Sequence, residues 1–533
     1  MQYIRYEQWK IWLEEGRDNG GEPRYTLLPY VTKLELPPET PATPLFWDNF
    51  WQDASPYAML LESGKGGRYT IAGREPVSVI EGKGDGARVL TAVGGPDWQV
   101  ASEHEGKPIA QVRRWMQPYR APKPDGLPDC IGGVIGLWSY DIVRSLERLP
   151  VSAADDSGIP DYAFMRFEEL WIVDHAEHAV YCAVHLPITG EIAADGEAFE
   201  ALYASARDRA EAMAQKWREW TAINEDENAR RRHGDMLGKM AADQLQIDIE
   251  SLPNLATSMS KEQFHQAVRR IQAYIAQGDV FQVNLSMRQS RPTDASPESL
   301  YEWLRLVNPS PYMGMLRAPS FTLVSASPEL LVKLDGGKLS TRPIAGTRRR
   351  GRTPEEDRAL EDELLSSDKE RAEHVMLVDL ERNDLGRVSE YGTVKVPELL
   401  TVERYSHVMH LVSQVEGRIA QGKDAFDVLA ATFPGGTITG APKIRTMEII
   451  EELEPTRRGP YTGSMGWIDY SGNMEFNIII RTIAMREGVC HIQAGAGIVI
   501  DSVPEREFYE SLNKAKALWK AVQYGERQGE RPI

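Results

Sequence analysis

Residues Phe321–Thr347 read FTLVSASPELLVKLDGGKLSTRPIAGT. Phe321–Leu334 and Gly337–Thr347 look like successive strands, each a β-branched and apolar run bounded by turn residues. Further strands follow the same pattern. Val280–Ser290 (VFQVNLSMRQS) alternates apolar and polar positions. Gly463–Tyr470, Met474–Met485 and His491–Ile500 read as three more. In the N-terminal half AMLLES (Ala58–Ser63), GRYTIAG (Gly67–Gly73) and PVSVIEG (Pro76–Gly82) are strands separated by turns. Gly132–Leu146 is a strand entering a helix, and Leu170–Asp174 with Ala179–Leu186 forms a hairpin. Helices lie between them. Ser260 and Gln263 make a capping-box signature ahead of Phe264, Val268, Ile271 and Ile275, with Gly278 as C-cap. The last helix starts near Pro504. Many strands joined by short connections, with helices besides, predict an α+β architecture.

The chain has 533 residues, too many for one ordinary core. Thr221–Ser258 is highly charged and weakly periodic, and is read as a mobile connector. The expected organisation is an N-terminal region at 1–220, a charged connector at 221–258 and a catalytic domain at 259–525. Lys and Arg total 61 against 79 Asp and Glu, a net charge of -18. Such a chain is a poor partner for nucleic acid or an anionic membrane. Its three cysteines, Cys130, Cys182 and Cys490, are too scattered for a disulfide framework or a zinc site, and no signal peptide or spanning run is evident. A cytoplasmic protein is expected.

Ser366–Gly386 (SSDKERAEHVMLVDLERNDLG) concentrates carboxylates on a helix whose Val375, Met376, Val378 and Leu380 call for burial. Glu370 and Glu373 are three apart and share a face. The final helix repeats the spacing with Glu507 and Glu510, followed by Lys514. Two helices that each offer a carboxylate pair can clamp a hard cation, leaving positions for water and substrate oxygens. A solvated charged face has the same spacing. In Gln493–Val499 (QAGAGIV), Gly495 and Gly497 interrupt an apolar strand, which calls for a close ligand or backbone, or a β-bulge.

Together these segments resemble the chorismate-utilising enzyme family, from Lys261 to Trp519 without a gap. The motifs include GDVFQVNLS, NPSPYM, SPELL, PIAGT, EHVMLVDLERNDLGRV, YSHVMHLVS, PGGTITGAPKIRTMEIIEELEP, NIIIRT, QAGAGIV and DSVPEREFYES. LLES and GRYTIAG extend the likeness to the family's regulatory portion. The resemblance implies large antiparallel sheets in a sandwich-like core flanked by helices. It implies Mg2+ as cofactor, with Glu373 and Glu510 as direct ligands and Glu370 and Glu507 in support. Glu329 would be the general acid at the carbon-4 hydroxyl of chorismate, which requires a raised pKa. Tyr461 and Arg481 would bind the enolpyruvyl carboxylate. Gly346, Thr347, Gly495, Ala496, Gly497 and Lys514 would make the remaining substrate contacts, and His410, rather than His407, matches the active-site histidine.

Position 282 bears on the nucleophile. Members that add water resemble this chain but carry Lys there, whereas this chain has Gln282, which cannot deprotonate water. The resemblance therefore implies amination. Two branches remain: aminodeoxychorismate synthases, which lead to 4-aminobenzoate and folate, and anthranilate synthases, which release pyruvate. FQVNLS, PGGTITGAP and EPTRRGPYTGSMGW are closer to the first. Ala345 stands where the best-known form of that branch has a nucleophilic lysine, a departure that favours the second or a non-covalent route. No cysteine sits in a glutaminase-type nucleophile elbow, so a separate glutamine amidotransferase subunit is expected to supply ammonia. Ser63, Arg68, Tyr69, Pro311, Tyr312 and Met313 match the family's tryptophan pocket. A non-catalytic scaffold is a remote alternative, since Glu329, Glu373, His410, Arg481 and Glu510 are all retained.

Overall fold

The computed structural model describes residues 4–15, 24–94, 97–243, 245–404 and 408–529. Its core is two sheets of twelve strands each. Neighbouring strands pair antiparallel throughout the described sheets, as at Val283↔Ile498 and Met313↔Glu62. Both sheets take strands from both sides of residues 221–258. In the first, Ala58–Glu62 pairs with Tyr312–Ala318. In the second, Gly133–Trp138 pairs with Ser464–Ile468. The sheets face one another closely. A Cβ at Gly73 in the first would come within 2.7 Å of the Phe167 ring in the second, and one at Gly314 within 3.1 Å of Met465. This is the expected α+β sandwich, with helices on the outside.

Two runs expected as single strands are each cut in two, and the halves belong to different sheets. Phe321–Ser327 lies in the first sheet and Leu330–Asp335 in the second. Pro328 stands at the break, where it has no N–H for a ladder. Met474–Asn477 lies in the second sheet and Thr482–Arg486 in the first. Arg481, at that break, has a left-handed backbone (φ 49°). The two crossings clasp each other. Ile478 N donates to Glu329 O (3.0 Å), Ala326 N to Arg481 O (3.1 Å), and Ser327 Oγ to Ile478 O (2.5 Å). Gly337–Thr347 also divides, at Arg342-Pro343, and both halves pair with Val408–Arg418.

The helices follow their signals. Ser260 and Gln263 form a reciprocal capping box at Lys261–Gln277, and Gly278 closes that helix at φ 84°. The C-terminal helix is Pro504–Gly529. Thr221–Ser258, read as a mobile connector, contains a helix at Glu227–Asp243. Only Ala229 and Met236 of that helix are buried, which explains the faint periodicity. Arg232 fastens it by ion-pairing with Asp48 and lying 4.1 Å from the Phe46 ring. Of the YSHVMHLVS segment, Tyr405–His407 lie outside the described residues. Among the described residues, no helix is long and apolar enough to cross a membrane. The three cysteines are buried and unbridged.

One ion pair lies wholly inside. Arg458 and Glu454 have side chains 1% and 3% exposed and meet at 2.7 Å. Arg458 also donates to the Ile438 and Asn284 carbonyls, both at 2.8 Å. Removing one partner strands a buried charge, at a cost of about 3–5 kcal/mol. Arg458→Met is therefore expected to lower the thermal midpoint sharply, and adding Glu454→Leu to recover part of the loss. A double variant no more stable than Arg458→Met would overturn that account.

Candidate active site

The helix Asp368–Gly386 begins at Ser367, whose hydroxyl accepts from Glu370 N. Its buried face is His374, Leu377, Val378, Glu381, Asp384 and Leu385, at helical spacing. Val375, expected in the core, is 49% exposed. Glu370 and Glu373 are half-buried, Glu373 at the edge of that face and Glu370 about one turn before His374 on the same line. Glu370 meets Arg348 at 3.1 Å and lies over Gly346, where a Cβ would come 3.0 Å from its Oε2. Gly346 has φ 68°, a second reason for glycine there. Glu373 Oε1 accepts from Gln282 Nε2 at 2.8 Å.

Gly497 makes that hydrogen bond possible, since a Cβ there would fall 2.2 Å from Gln282 Nε2. The strand containing Gly495 and Gly497 pairs without interruption from Val283↔Ile498 to Pro292↔Val489, so the glycines mark close approach and not a bulge. Lys514 Nζ donates to Gly495 O and pairs with Glu510, both at 3.0 Å. Gln282, Gly497, Gly495 and Lys514 thus bridge Glu373 on one helix to Glu510 on the other. Glu507 lies one turn before Glu510 and is half-buried. Ala496 is fully buried in the core, which leaves only its backbone for a ligand.

Glu329 occupies the gap where the strands change sheets and is 5% exposed. Burial pushes its carboxyl up to about 7, against the opposing pull of Thr437, Arg481, the Ile344 amide and Lys514. Its Oε1 is buried without a hydrogen-bond partner. His410 lies across from Arg481. Burial first, and then that guanidinium, bring the imidazole down to about 4, so it is neutral at pH 7. His410 Nδ1 lies 3.0 Å from Thr347 Oγ1 and 3.3 Å from Gly346 O. A carbonyl only accepts, so this contact favours the proton on Nδ1. Ala345 precedes this pair on the same strand. Tyr461 lies beside the buried Arg458, its ring 5.5 Å from that guanidinium, and its neighbour Thr462 donates its amide to Ile479 O. Thr462 (φ 60°) and Arg481 are both non-glycine residues in left-handed conformation, a strain that clusters at functional sites.

Among the described residues no three or more His, Cys, Asp or Glu side chains converge as a ready-made metal cluster. Magnesium does not require one. It takes one or two carboxylates and keeps waters and substrate oxygens. The donor set is hard oxygen on two helices, and Gln282 Oε1, buried and unpartnered, lies beside Glu373. The residues present fit such an ion.

Three titratable groups on the buried face were not legible as site residues. Glu381 accepts from the Thr341 hydroxyl. Asp384 meets Lys443 at 2.5 Å. His374 lies 2.6 Å from the Ser413 hydroxyl, and burial lowers it to about 4. The signal was available: positions 374, 377, 378, 381, 384 and 385 trace one helical stripe. Farther off, Arg68, Tyr69, Pro311, Tyr312 and Met313 share one cavity of about 130 Å3 between the two sheets. Ser63 lines an adjoining cavity of about 260 Å3 that shares Met313.

The family of chorismate binding enzymes matches residues 57–520, and the chain belongs to it. It is 45% identical to aminodeoxychorismate synthase component 1 of Bacillus subtilis over 471 residues, 88% of this chain and 92% of that one. It is 48% identical to anthranilate synthase component 1 of Thermus thermophilus over 406 residues, 76% of this chain and 80% of the other. The crystal structure of anthranilate synthase component I from Streptococcus pneumoniae superposes with a TM-score of 0.67 at 32% identity, covering 85% of this chain and 92% of that one.

The raised carboxyl of Glu329 has a measurable sign. A buried acid with a folded pKa near 7, well above the ordinary glutamate range, stabilises the fold below the unfolded value and loses that contribution as pH rises through about 7. Glu329→Gln carries no such loss. The variant is expected to gain in thermal midpoint relative to the parent between pH 6 and pH 8. An equal difference at both pH values would remove the raised carboxyl.

Proposed function

We propose that the protein is the chorismate-aminating component of an aminodeoxychorismate synthase. It converts chorismate and ammonia to 4-amino-4-deoxychorismate and water, with magnesium, and a separate glutaminase subunit supplies the ammonia. The observation that carries this reading is the 45% identity to the Bacillus subtilis component 1 across 88% of the chain. Gln282 supports amination, since its amide is committed to Glu373 and has no basic site with which to activate water. Ammonia brings its own lone pair and needs no base.

Glu329 is the acid. A carboxyl near pKa 7 keeps a substantial protonated fraction near neutrality, and its proton passes to the carbon-4 hydroxyl, which leaves as water. The proton released by the adding ammonia restores it. Arg481 and Tyr461 hold the enolpyruvyl carboxylate. Lys514, fixed by the Gly495 carbonyl, and the Gly346–Thr347–His410 group orient the ring. Glu373 and Glu510 would hold the magnesium directly and Glu370 and Glu507 through water. Bound there, the ion supplies positive charge opposite the ring carboxylate. The cavity of Arg68, Tyr69 and Tyr312 would take L-tryptophan.

Ala345 favours a second reading. Its methyl group offers no nucleophile for a covalent step at carbon 2, so amination must be direct, as in an anthranilate synthase. The two readings separate on product. With chorismate, magnesium and ammonium salt, the first predicts a compound that becomes 4-aminobenzoate only after a lyase is added. Fluorescent anthranilate with an equivalent of pyruvate would establish the second. Under either reading Glu373→Gln is expected to reduce turnover at least a hundredfold while circular dichroism stays unchanged. Undiminished turnover would take Glu373 out of the metal site.

A further inference from the structure

The mechanism above gives no task to Asn284. It lies on the strand Gln282–Pro292, 9% exposed. Alternate side chains of a strand share a face, so Asn284 points the same way as Gln282 before it and Ser286 after it. Its main chain is fixed at both polar groups. The amide donates to Thr439 O (2.9 Å), and the carbonyl accepts from Arg458 Nη2 (2.8 Å). On the neighbouring strand Gly495 makes room for the side chain. A Cβ there would fall 2.9 Å from Asn284 Oδ1 and 2.8 Å from Ser286 Cβ. The Gly495 carbonyl anchors Lys514, which reaches Glu510. The Asn284 carboxamide therefore lies over the same glycine that holds Lys514 in the site.

Asn284 Oδ1 is buried and, among the described residues, meets no donor. A buried acceptor left unmet costs stability and points to a donor that arrives with a ligand. The donors nearby are committed elsewhere. Arg458 spends its N–H groups on Glu454, Ile438 O, Thr462 Oγ1 and the Asn284 backbone. Ser286 Oγ donates to Glu454 (2.8 Å) and accepts from Gln493 Nε2 (2.9 Å). Lys514 is divided between Gly495 O and Glu510. Gln282 gives its amide to Glu373, and its own Oε1 is likewise buried and unmet. Two carboxamide oxygens without donors thus stand two residues apart on the site-facing side of one strand.

The reactants bring few donors of their own. The two carboxylates and the enol ether of chorismate only accept, and its single O–H, at carbon 4, belongs to the group on which Glu329 acts. Ammonia brings three N–H groups. We propose that Asn284 binds the ammonia: its Oδ1 accepts an N–H and, with Gln282 Oε1 alongside, aims the nitrogen lone pair at the ring. No bond is made or broken at Asn284. A neutral amide suits this task. An N–H donated to it leaves the lone pair free, whereas a carboxylate in the same place would favour ammonium, which has no lone pair.

The proposal rests on amination as the reaction, under either branch, and its test keeps the two apart. Chorismate consumption by the full chain with magnesium is measured against free ammonia at saturating chorismate, and against chorismate at saturating ammonia. The parent is compared with Asn284→Leu and Asn284→Val, which remove the acceptor and suit a buried strand. Loss of one hydrogen bond to ammonia is expected to lower kcat/KM for ammonia about tenfold in each, with KM for chorismate within about twofold of the parent. An unchanged ammonia dependence in either folded variant would overturn the proposal and leave the oxygen to ordered water. A raised KM for chorismate would overturn it too, by giving the oxygen to the carbon-4 hydroxyl or by marking a distorted site. A parent that consumes no chorismate with ammonia would remove the function itself, and this proposal with it.

Discussion

Two strands change sheets at the same point, and a carboxyl is held in the gap they leave. A sheet satisfies its backbone by neighbour pairing, so leaving one sheet for another requires a residue that makes no ladder bond or a backbone that turns sharply. Pro328 supplies the first and Arg481 the second. Once crossed, the strands satisfy each other through Ile478, Ser327 and Ala326. The gap is dry because sheets close it on both sides, and any acid within it binds its proton more tightly. Glu329 follows Pro328 immediately. The break in the strand and the acidity of the side chain are therefore one feature.

The helix Asp368–Gly386 handles its carboxylates in two ways according to depth. In its N-terminal half, Glu370 and Glu373 are half-buried and met by N–H donors, from Arg348 and Gln282. On the inner face Glu381 has only a hydroxyl, and burial favours the neutral form. Asp384 lies between these cases, buried but met by Lys443. Glu373 stands about a quarter turn around the helix from Glu381, and Glu370 about three turns before Glu381 on nearly the same line, so depth and not angle alone separates the half-exposed carboxylates from the buried carboxyl. A net charge of -18 makes such sorting necessary, because the chain has too few cations to match every acid.

The fold was legible wherever one residue pattern served one environment. The capping box at Ser260, the αL glycine at 278 and the strands of the N-terminal half all follow their local signals. Legibility failed where a run serves two environments in turn. Phe321–Leu334 and Met474–Met485 are buried along most of their length on both sides of the crossing, so periodicity shows no break and only Pro328 marks one. The helix Glu227–Asp243 was illegible for the opposite reason: two buried residues leave no stripe. At the site, resemblance supplied positions that spacing could not. Spacing in turn places further carboxyls inside, since the stripe through Leu377 and Val378 carries Glu381 and Asp384 inward.

The neighbourhood of Gln282 shows how one neutral side chain excludes one reaction class and leaves another. Its amide spans the strand only because position 497 has no Cβ, and it reaches Glu373 at hydrogen-bond distance. A cationic side chain in that slot would add a base beside the ring and a positive charge beside the carboxylates. Glutamine adds neither. It orients Glu373 by donating one proton while its own oxygen stays buried beside the same group. Water in this site thus meets no acceptor at position 282 strong enough to deprotonate it, whereas ammonia, already nucleophilic, loses nothing by the exchange. The remaining freedom concerns which ring carbon ammonia reaches. Under the proposed function, with Ala345 contributing only a methyl group, that choice would pass to how Arg481, Lys514 and the Gly346–His410 group held the ring, which would make regiochemistry a matter of orientation and not of covalent capture.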